Sequence, residues 1–378
     1  MRGGVPLTSV AFHVDQLWFS SPGGIGTYVW ELFPALGRAD PSLDLVPFRS
    51  RWRHDPPRMW LLHEPPLEIP APIRALYPSW DLFARPHLPR RIAGCDIVHA
   101  TNPAAVPPAA PGQKLVVTVH DLAFEQFPEL FPRSWRWLYR AGLKAAVRRA
   151  HAILTPSQAT ADDLLARTKV EPSKVHVVPL AASLPATEND PAPVLERLGI
   201  ERPYVLYVGT LEPRKNLVCL VRAYREAVSS GLPHALVLAG PVGWQPEELL
   251  GELARGGPGS IVRTGSLAGD DLDAVYRGAD VFAYPSLYEG FGLPVLEAMA
   301  RGVPTIASDS SSIPEVVGSA AYLVDPRSEK DLAVAIERVL VDEALAADMR
   351  RDGRAQATRF SWDETARGTL AVYRKVTA

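Results

Sequence analysis

The sequence predicts an α/β fold built from two doubly wound domains. Three observations support this prediction: short apolar segments alternate with longer segments of helical periodicity, the chain has 378 residues, and a proline-rich stretch interrupts it near the middle. Continuous apolar strands bounded by helices are typical of parallel strands that are buried on both faces. At roughly 100–200 residues per domain, this length accommodates two such domains.

The first half of the chain contains five predicted strands. They are runs of apolar and often β-branched residues, at residues 9–14, 96–100, 114–121, 152–157 and 175–179. Segment 51–90 is rich in Pro, Arg and Trp, and its pattern predicts no particular element. Five prolines among residues 179–203 cannot continue a helix or a central strand. We therefore place the domain boundary there and assign residues 1–186 to the N-terminal domain.

The second half repeats the alternation, and residues 187–360 form the predicted C-terminal domain. Its six predicted strands lie at residues 204–209, 234–240, 260–265, 280–286, 304–308 and 321–325. Residues 361–378 then have the periodicity of an amphipathic helix, beginning after Ser361, a residue type that caps helices. In doubly wound sheets ligands bind at the carboxyl ends of the strands, so functional residues should follow these strands.

The composition excludes several functional classes. With 40 Lys and Arg residues against 42 Asp and Glu residues, the net charge of −2 does not predict a nucleic-acid partner. The two cysteines, Cys95 and Cys219, exclude a disulfide framework and a cysteine-rich metal site. The first residues do not predict a secretion signal, and no stretch approaches the roughly 20 apolar residues of a membrane span. These features predict a cytoplasmic protein.

The most informative segment is YPSLYEGFGLPVLEAMARGVPTIASDSSSIPEV at 284–316. It predicts a strand end, a glycine-containing loop and a helix that opens at Leu293-Pro294, whose N-terminus suits a phosphate. Glu289 and Glu297 would direct two carboxylates toward one crevice, and carboxylates accept paired hydrogen bonds from vicinal hydroxyl groups. The alternative is that Glu297 is a solvated helix residue and the glycines only form a turn.

Two cationic residues follow the predicted strand at 204–209. The segment YVLYVGTLEPRKNL at 204–217 predicts a strand, a turn at Gly209 and then Arg214 and Lys215 before a helix. Two adjacent cations at this place can neutralise a diphosphate, because Arg supplies a planar fork and Lys a mobile point charge. Taken alone, the pair is equally well explained as ordinary surface cations.

Two further features lie in the N-terminal half. Gly23-Gly24-Ile25-Gly26 follows the first strand, and although it lacks the spacing of a dinucleotide-binding motif, its glycines allow a backbone to approach a phosphate or a sugar. The predicted strand 114–121 stops at His120, which is well placed to bind a substrate. A histidine in this position is more often structural.

Together these segments resemble the retaining glycosyltransferases of the large GT4 family over nearly the whole chain. The specific match is the E-x7-E pattern from Glu289 to Glu297. Supporting matches are GTLEPRKN at 209–216, the GGIG segment, the VHD strand end and TPSQATADDL at 155–164. The resemblance implies the GT-B fold, in which two Rossmann-like domains face each other across a cleft. We expect helix 361–378 to pack back on the N-terminal domain.

The resemblance also implies roles for the candidate residues. Arg214 and Lys215 would bind the diphosphate of the donor. Glu289 would face the transferred sugar and His120 its hydroxymethyl group, which completes the set of catalytic candidates. The donor-binding candidates are Gly23, Gly24, Gly209, Ser266, Leu267, Gly290, Phe291, Gly292, Leu293 and Glu297. The family's reaction retains the anomeric configuration and uses no metal, and its only co-substrate is the nucleotide-sugar donor.

The donor and the acceptor are less closely defined. Residues 310–326, SSSIPEVVGSAAYLVDP, resemble the bacterial polysaccharide mannosyltransferases and favour GDP-mannose, while UDP-glucose and UDP-N-acetylglucosamine remain alternatives. The acceptor would be a glycan or a lipid-linked sugar at the N-terminal domain. A phosphorylase, a nucleotide-sugar epimerase, a two-lobed binding protein and an inactive glycosyltransferase-like partner are the rival interpretations.

Segment 131–152 predicts a basic amphipathic helix. Five cations are spaced three or four residues apart on one face, with aromatic residues at its start: Arg133, Arg136, Arg140, Lys144 and Arg148. Such a helix can lie on an anionic membrane surface and would hold the protein at the inner face of the membrane. The alternative is a solvated helix face on a protein that never meets a membrane.

Overall fold

The structure, a computed structural model, describes residues 9–56, 65–183, 189–267 and 269–378. These residues form two compact units: unit 1 runs to Leu180 and includes Ser361–Ala378, and unit 2 is Ala181–Phe360. The sequence places the boundary after residue 186, whereas the chain leaves unit 1 after Leu180. The backbone N–H of Val178 still donates to the carbonyl of Thr155 at 2.8 Å, which keeps this stretch in unit 1.

Within the described residues, unit 1 contains a parallel sheet of seven strands in the order β3-β2-β1-β4-β5-β6-β7. The strands are β1 Ser9–His13, β2 Asp44–Arg51, β3 Leu67–Pro72, β4 Ile97–Ala100, β5 Lys114–Thr118, β6 Ala152–Thr155 and β7 Val175–Val177. The five strands predicted from the sequence are present. The prediction missed β2 and β3, because Pro47 and the prolines of LEIPAP interrupt their apolar pattern.

Six helices connect the parallel strands of unit 1 among the residues described. They are α1 Gly23–Ala39, α2 Ile73–Phe83, α3 Arg90–Ala93, α4 Ala123–Gln126, α5 Arg133–Arg149 and α6 Gln158–Arg167. The predicted basic helix at 131–152 corresponds to α5. Gly142 lets α5 approach the loop after β4, because a Cβ atom at this position would lie 1.7 Å from the carbonyl oxygen of Pro103.

Unit 2 contains a parallel sheet of six strands among the residues described, in the order β10-β9-β8-β11-β12-β13. The strands are β8 Tyr204–Val208, β9 Ala235–Ala239, β10 Ile261–Gly265, β11 Val281–Tyr284, β12 Thr305–Ser308 and β13 Tyr322–Val324. The helices are α7 Ala192–Arg197, α8 Leu217–Val228, α9 Glu247–Ala254, α10 Gly269–Arg277, α11 Leu293–Ala300, α12 Ile313–Val317, α13 Glu329–Val341 and α14 Glu343–Ala357. All six predicted strands are present. Strands β8, β9, β11 and β12 are fully buried apolar runs, whereas the edge strands β10 and β13 are only partly buried.

The last helix, α15 (Trp362–Thr377), belongs to unit 1. The side chain of Ser361 caps it by accepting a hydrogen bond from the first turn. Near its end, the hydroxyl group of the buried Tyr373 is hydrogen-bonded to Nδ1 of His99 at 2.5 Å, and Nε2 of His99 to the hydroxyl of Thr118 at 2.8 Å. The predicted fold class, two doubly wound α/β domains with the last helix on the first, is therefore confirmed.

The strand order locates a crevice in each sheet. β1 pairs with β2 on one side and β4 on the other, and β8 likewise lies between β9 and β11. The loops that follow β1 and β4, or β8 and β11, leave the sheet in opposite directions, and ligands of doubly wound folds bind between such loops. Among the helices that the structure describes, none has both the length and the apolar character needed to cross a bilayer.

Candidate active site

The loop after β8 carries the two predicted cations of unit 2. It turns at Gly209, whose backbone N–H donates to Ala239 at the end of β9. The neighbouring loop packs directly against it, since a Cβ atom at Gly240 would lie 1.9 Å from the carbonyl oxygen of Gly209. A single helical turn, Pro213–Lys215, then presents Arg214 and Lys215 at the carboxyl edge of the sheet.

Hydrogen bonds fix the loop after β11 against this turn. The backbone N–H of Leu287 donates to the carbonyl of Arg214 at 3.0 Å, and the side-chain amide of Asn216 donates to the carbonyl of Pro285 at 3.2 Å. These bonds join the two loops at the switch point of the sheet. They bring Glu289 beside the two cations.

A buried ion cluster results from this arrangement. Oε1 of Glu289 lies 2.5 Å from Nζ of Lys215, and Oε2 lies 3.0 Å from a guanidinium nitrogen of Arg214. A second carboxylate, Glu212, lies 2.8 Å from the same guanidinium. None of these side chains is more than 12% exposed. Two cations and two carboxylates therefore balance each other in a site that is largely closed to water.

The environment keeps Glu289 ionised. Burial opposes the charged form, but Arg214 and Lys215 outweigh it, and together with the hydroxyl of Ser286, which donates at 2.6 Å, they lower the pKa of Glu289 to about 2. Tyr284 donates a further hydrogen bond to Oε1 at 3.0 Å. Burial, and then the charge of Arg214, lower the pKa of Lys215. A second anion close to Lys215 would therefore stabilise the charged form of its side chain.

The predicted glycine loop leads from this cluster into α11. Gly292 has φ +98°, and a Cβ atom there would lie 2.5 Å from a methyl group of Ile313, so the position requires glycine. Leu293 is the first residue of the helix and follows Gly290, Phe291 and Gly292. The Phe291 side chain is buried against the ring of Phe360, so only the backbone of Phe291 is available to a ligand.

Glu297 and Glu289 have different hydrogen-bond partners. Glu297 is half-buried one turn into α11, and its Oε2 accepts a hydrogen bond from the hydroxyl of Tyr276 at 2.9 Å. The guanidinium of Arg301 lies 4.8 Å from the centre of the Tyr276 ring. The other predicted donor-binding pair, Ser266 and Leu267, follows the edge strand β10, where Ser266 is exposed.

The glycine segment 23–26 forms the first turn of α1. Gly23 and Gly24 are the first residues of α1, and both are exposed. The turn closes because the N–H of Gly26 donates to the carbonyl of Pro22 at 2.9 Å. A ligand that approaches these glycines would meet the exposed first turn of a helix of 17 residues.

His120 lies after β5 in a defined tautomer. Its Nε2 is 2.8 Å from the carbonyl oxygen of Thr101, which can only accept, so Nε2 carries the proton. The ring of Tyr28 packs edge-on against the imidazole at 4.8 Å. Burial lowers the pKa of His120, although the Thr101 carbonyl opposes this effect. The neutral ring therefore presents Nδ1 as an acceptor for a hydroxyl group.

Sequence reasoning missed a buried carboxylate in unit 1. Asp15 follows β1, and its oxygens accept hydrogen bonds of 2.8–2.9 Å from Ser50, Trp52, Tyr77 and His13. Burial opposes its ionisation, but the interaction with His13 and these hydrogen bonds lower its pKa. An acidic residue directly after a predicted strand was the available signal. In unit 2 the same reasoning missed Glu212, although it lies inside the GTLEPRKN motif.

Two of the five cations predicted on α5 are engaged within unit 1. Arg140 donates two hydrogen bonds of 2.8 Å to the carboxylate of Glu125 on α4, and Arg136 donates to the carbonyl of Pro128. The sequence pattern could not reveal the first pair, because Glu125 lies on another helix, before segment 131–152. The three remaining cations are exposed, at Arg133, Lys144 and Arg148.

Comparison with known proteins matches both halves of the chain to described families. The model for "Glycosyl transferases group 1" matches residues 196–356, and the model for "Glycosyltransferase Family 4" matches residues 22–184. The chain is 33% identical over 268 residues to O-antigen chain mannosyltransferase B of Escherichia coli, covering 69% of this chain and 70% of that protein. It is 31% identical over 360 residues to the MMP alpha-(1->4)-mannosyltransferase of Mycolicibacterium hassiacum, with 85% of each covered.

Solved structures show the same fold. The structure of Anabaena HepE in complex with UDP and glucose superposes with a TM-score of 0.76, at 20% identity, over 96% of this chain and 98% of that chain. At this identity the likeness concerns the architecture alone.

The low pKa of Glu289 gives the stability of the protein a defined pH dependence. A carboxylate whose pKa is depressed by folding stabilises the folded state above its unfolded pKa, and this stabilisation is lost as the pH falls toward the folded value. We expect Glu289→Gln to lower the free energy of unfolding at pH 7 by on the order of 3 kcal/mol. The difference from the wild type should narrow as the pH falls from about 4.5 toward about 2.

Denaturant unfolding of both proteins between pH 7 and pH 3 measures this difference. Glu337→Gln, at an exposed position of α13, is the matched control and should leave the stability unchanged. A loss of stability in Glu289→Gln that does not vary with pH would contradict the assignment of an ionised, paired carboxylate.

Proposed function

Since the chain belongs to the GT4 family of glycosyltransferases, we propose that it transfers a mannosyl group from GDP-mannose to a hydroxyl group of a glycan or lipid-linked acceptor, with retention of configuration. The observation that carries this proposal is the buried cluster of Arg214, Lys215 and Glu289 at the switch point of unit 2. Doubly wound folds bind nucleotides at this place.

Mannose is favoured because the two relatives described above are mannosyltransferases by name. The runner-up is a UDP-sugar enzyme, since the structurally similar HepE was solved with UDP and glucose. An inactive nucleotide-binding partner is the third possibility, and the complete cluster in unit 2 argues against it.

The cluster suits the departure of a nucleoside diphosphate. As the bond between the anomeric carbon and the diphosphate oxygen breaks, negative charge grows on that oxygen, and Arg214 and Lys215 stabilise it from positions that are already fixed. The acceptor hydroxyl forms the new bond to the anomeric carbon on the same face. Its proton passes to the departing phosphate, so the hydroxyl needs no separate base and the phosphate no separate acid.

Glu289 and His120 would bind the sugar rather than exchange protons with it. Oε1 of Glu289 already accepts from Lys215, Ser286 and Tyr284, so Oε2 has the greater remaining capacity to accept a sugar hydroxyl. The unprotonated Nδ1 of His120 would accept a second hydroxyl. Glu297, with its half-buried carboxylate, is assigned to the ribose.

The exposed cations of α5 would attach unit 1, the unit proposed to bind the acceptor, to an anionic membrane. Each cation near such a surface contributes about 1 kcal/mol, so Arg133, Lys144 and Arg148 together contribute about 3 kcal/mol. Trp137 lies on the same side of α5 and is 50% exposed, as an interfacial aromatic residue would be. The proposed location is therefore the inner face of the membrane.

Thermal unfolding of the protein in the presence of GDP, UDP, ADP or dTDP, without added metal, tests the proposed donor. A nucleotide at a hundred times its dissociation constant stabilises a protein by about 2.7 kcal/mol. We expect GDP to raise the melting temperature and the other nucleotides to have little effect. Stabilisation by UDP alone would replace mannose by a UDP-sugar, and no stabilisation by any nucleotide would contradict the proposed function.

Co-sedimentation with vesicles of phosphatidylcholine and phosphatidylglycerol at low salt tests the membrane contact. The wild type should sediment, and replacement of Arg133, Lys144 and Arg148 by Gln should weaken binding by on the order of a hundredfold. The matched control replaces three exposed cations of unit 2 by Gln, at Arg263, Arg327 and Lys330, and should retain binding. A wild type that stays in solution, or equal losses in both variants, would refute the contact.

A further inference from the structure

Unit 1 contains a continuous row of aromatic rings that the proposed mechanism does not use. The ring centres of Phe124 and Tyr139 lie 5.2 Å apart, those of Tyr139 and Trp135 6.1 Å, those of Trp135 and Phe19 6.2 Å, and those of Phe19 and Trp52 5.2 Å. These five side chains are called the aromatic row below. They come from four separate parts of the chain, so the row is a product of the fold.

The row follows the carboxyl ends of the strands of unit 1. Phe19 lies in the segment after β1, Trp52 is the first residue after β2, and Phe124 is four positions beyond His120. Trp135 and Tyr139 are in the first turns of α5, which follows the same loop. Since all strands of this sheet are parallel, these segments leave it at one edge, where doubly wound folds bind ligands.

The row is held at both ends and is more accessible in its middle. Phe124 is buried, and the indole N–H of Trp52 donates to the buried carboxylate of Asp15 at 2.8 Å. Phe19 is half-buried, and Trp135 is 41% exposed. Side chains fixed in this way lose little conformational freedom when a ligand covers them.

We propose that the aromatic row binds the pyranose rings of the acceptor glycan. This inference rests on the proposed function, because a glycosyltransferase needs a site for a carbohydrate acceptor. A pyranose presents a face of C–H groups, and the electron-rich face of an aromatic ring attracts their partial positive charge while apolar area is removed from water. Several rings in succession suit a chain of sugars better than a single one.

The geometry of α5 separates this site from the proposed membrane contact. Trp135 and Trp137 are two positions apart and therefore point in directions about 200° apart around the helix axis. Trp137 lies on the side of Lys144 and the other exposed cations, whereas Trp135 lies on the side of the buried Ala146. The two tryptophans thus serve different partners, and the row faces a ligand other than the bilayer.

The pair Trp135→Ala and Trp137→Ala provides a matched test, since both side chains are partly exposed on the same helix. Calorimetric titration with linear mannose oligosaccharides of one, two and four residues measures the affinity of each protein. The wild type should bind the tetrasaccharide, Trp135→Ala should bind it at least tenfold more weakly, and Trp137→Ala should bind it within twofold of the wild type. The monosaccharide covers fewer rings, so its affinities for the two variants should differ less than those of the tetrasaccharide.

Equal affinities for the tetrasaccharide in both variants, or no binding by the wild type, would overturn the proposal. So would a loss of binding to anionic vesicles in Trp135→Ala but not in Trp137→Ala, since the row would then be a membrane surface. Thermal stabilisation by GDP or UDP, measured in all three proteins, distinguishes two failures. Intact nucleotide binding with unchanged oligosaccharide affinity refutes only the row, whereas absent nucleotide binding in the wild type refutes the proposed function itself.

Discussion

The carboxylate of Glu289 binds Lys215 and Arg214 across two loops, and the candidate site of unit 2 depends on this buried interaction. Removal of one partner would leave an uncompensated charge away from water, which typically costs 3–5 kcal/mol. The position of either loop therefore depends on the other. The loops meet because the crossover in strand order makes β8 and β11 neighbours in the sheet.

The same interaction accounts for the chemistry proposed for the site. In the structure, Glu212 and Glu289 balance the two cations, so an incoming diphosphate makes the site negative overall. Such a ligand favours the charged form of Lys215, whose pKa burial lowers. The cations need not move far to act, because hydrogen bonds to Glu289, Tyr284 and Glu212 already orient them.

The sequence revealed the fold better than the site. Strands such as β8 and β11 are short apolar runs, and their type follows from composition, whereas Pro47 concealed β2 because only pairing with β1 and β3 makes that segment a strand. From the sequence, Arg214 and Lys215 are predicted to bind the diphosphate of the donor, and Glu289 is predicted to bind its sugar. Their mutual contact was not foreseeable, because 74 positions separate Lys215 from Glu289 and only the strand order brings them together.

The affinity of the protein for GDP relative to GMP tests the central claim most directly, because the two nucleotides differ by the phosphate that Arg214 and Lys215 would bind. A charge-assisted hydrogen bond contributes about 1.5–3 kcal/mol, so the wild type should prefer GDP at least tenfold. Lys215→Gln should abolish most of this preference, and Lys330→Gln, at an exposed position of unit 2, should preserve it. An unchanged preference in Lys215→Gln would contradict the account.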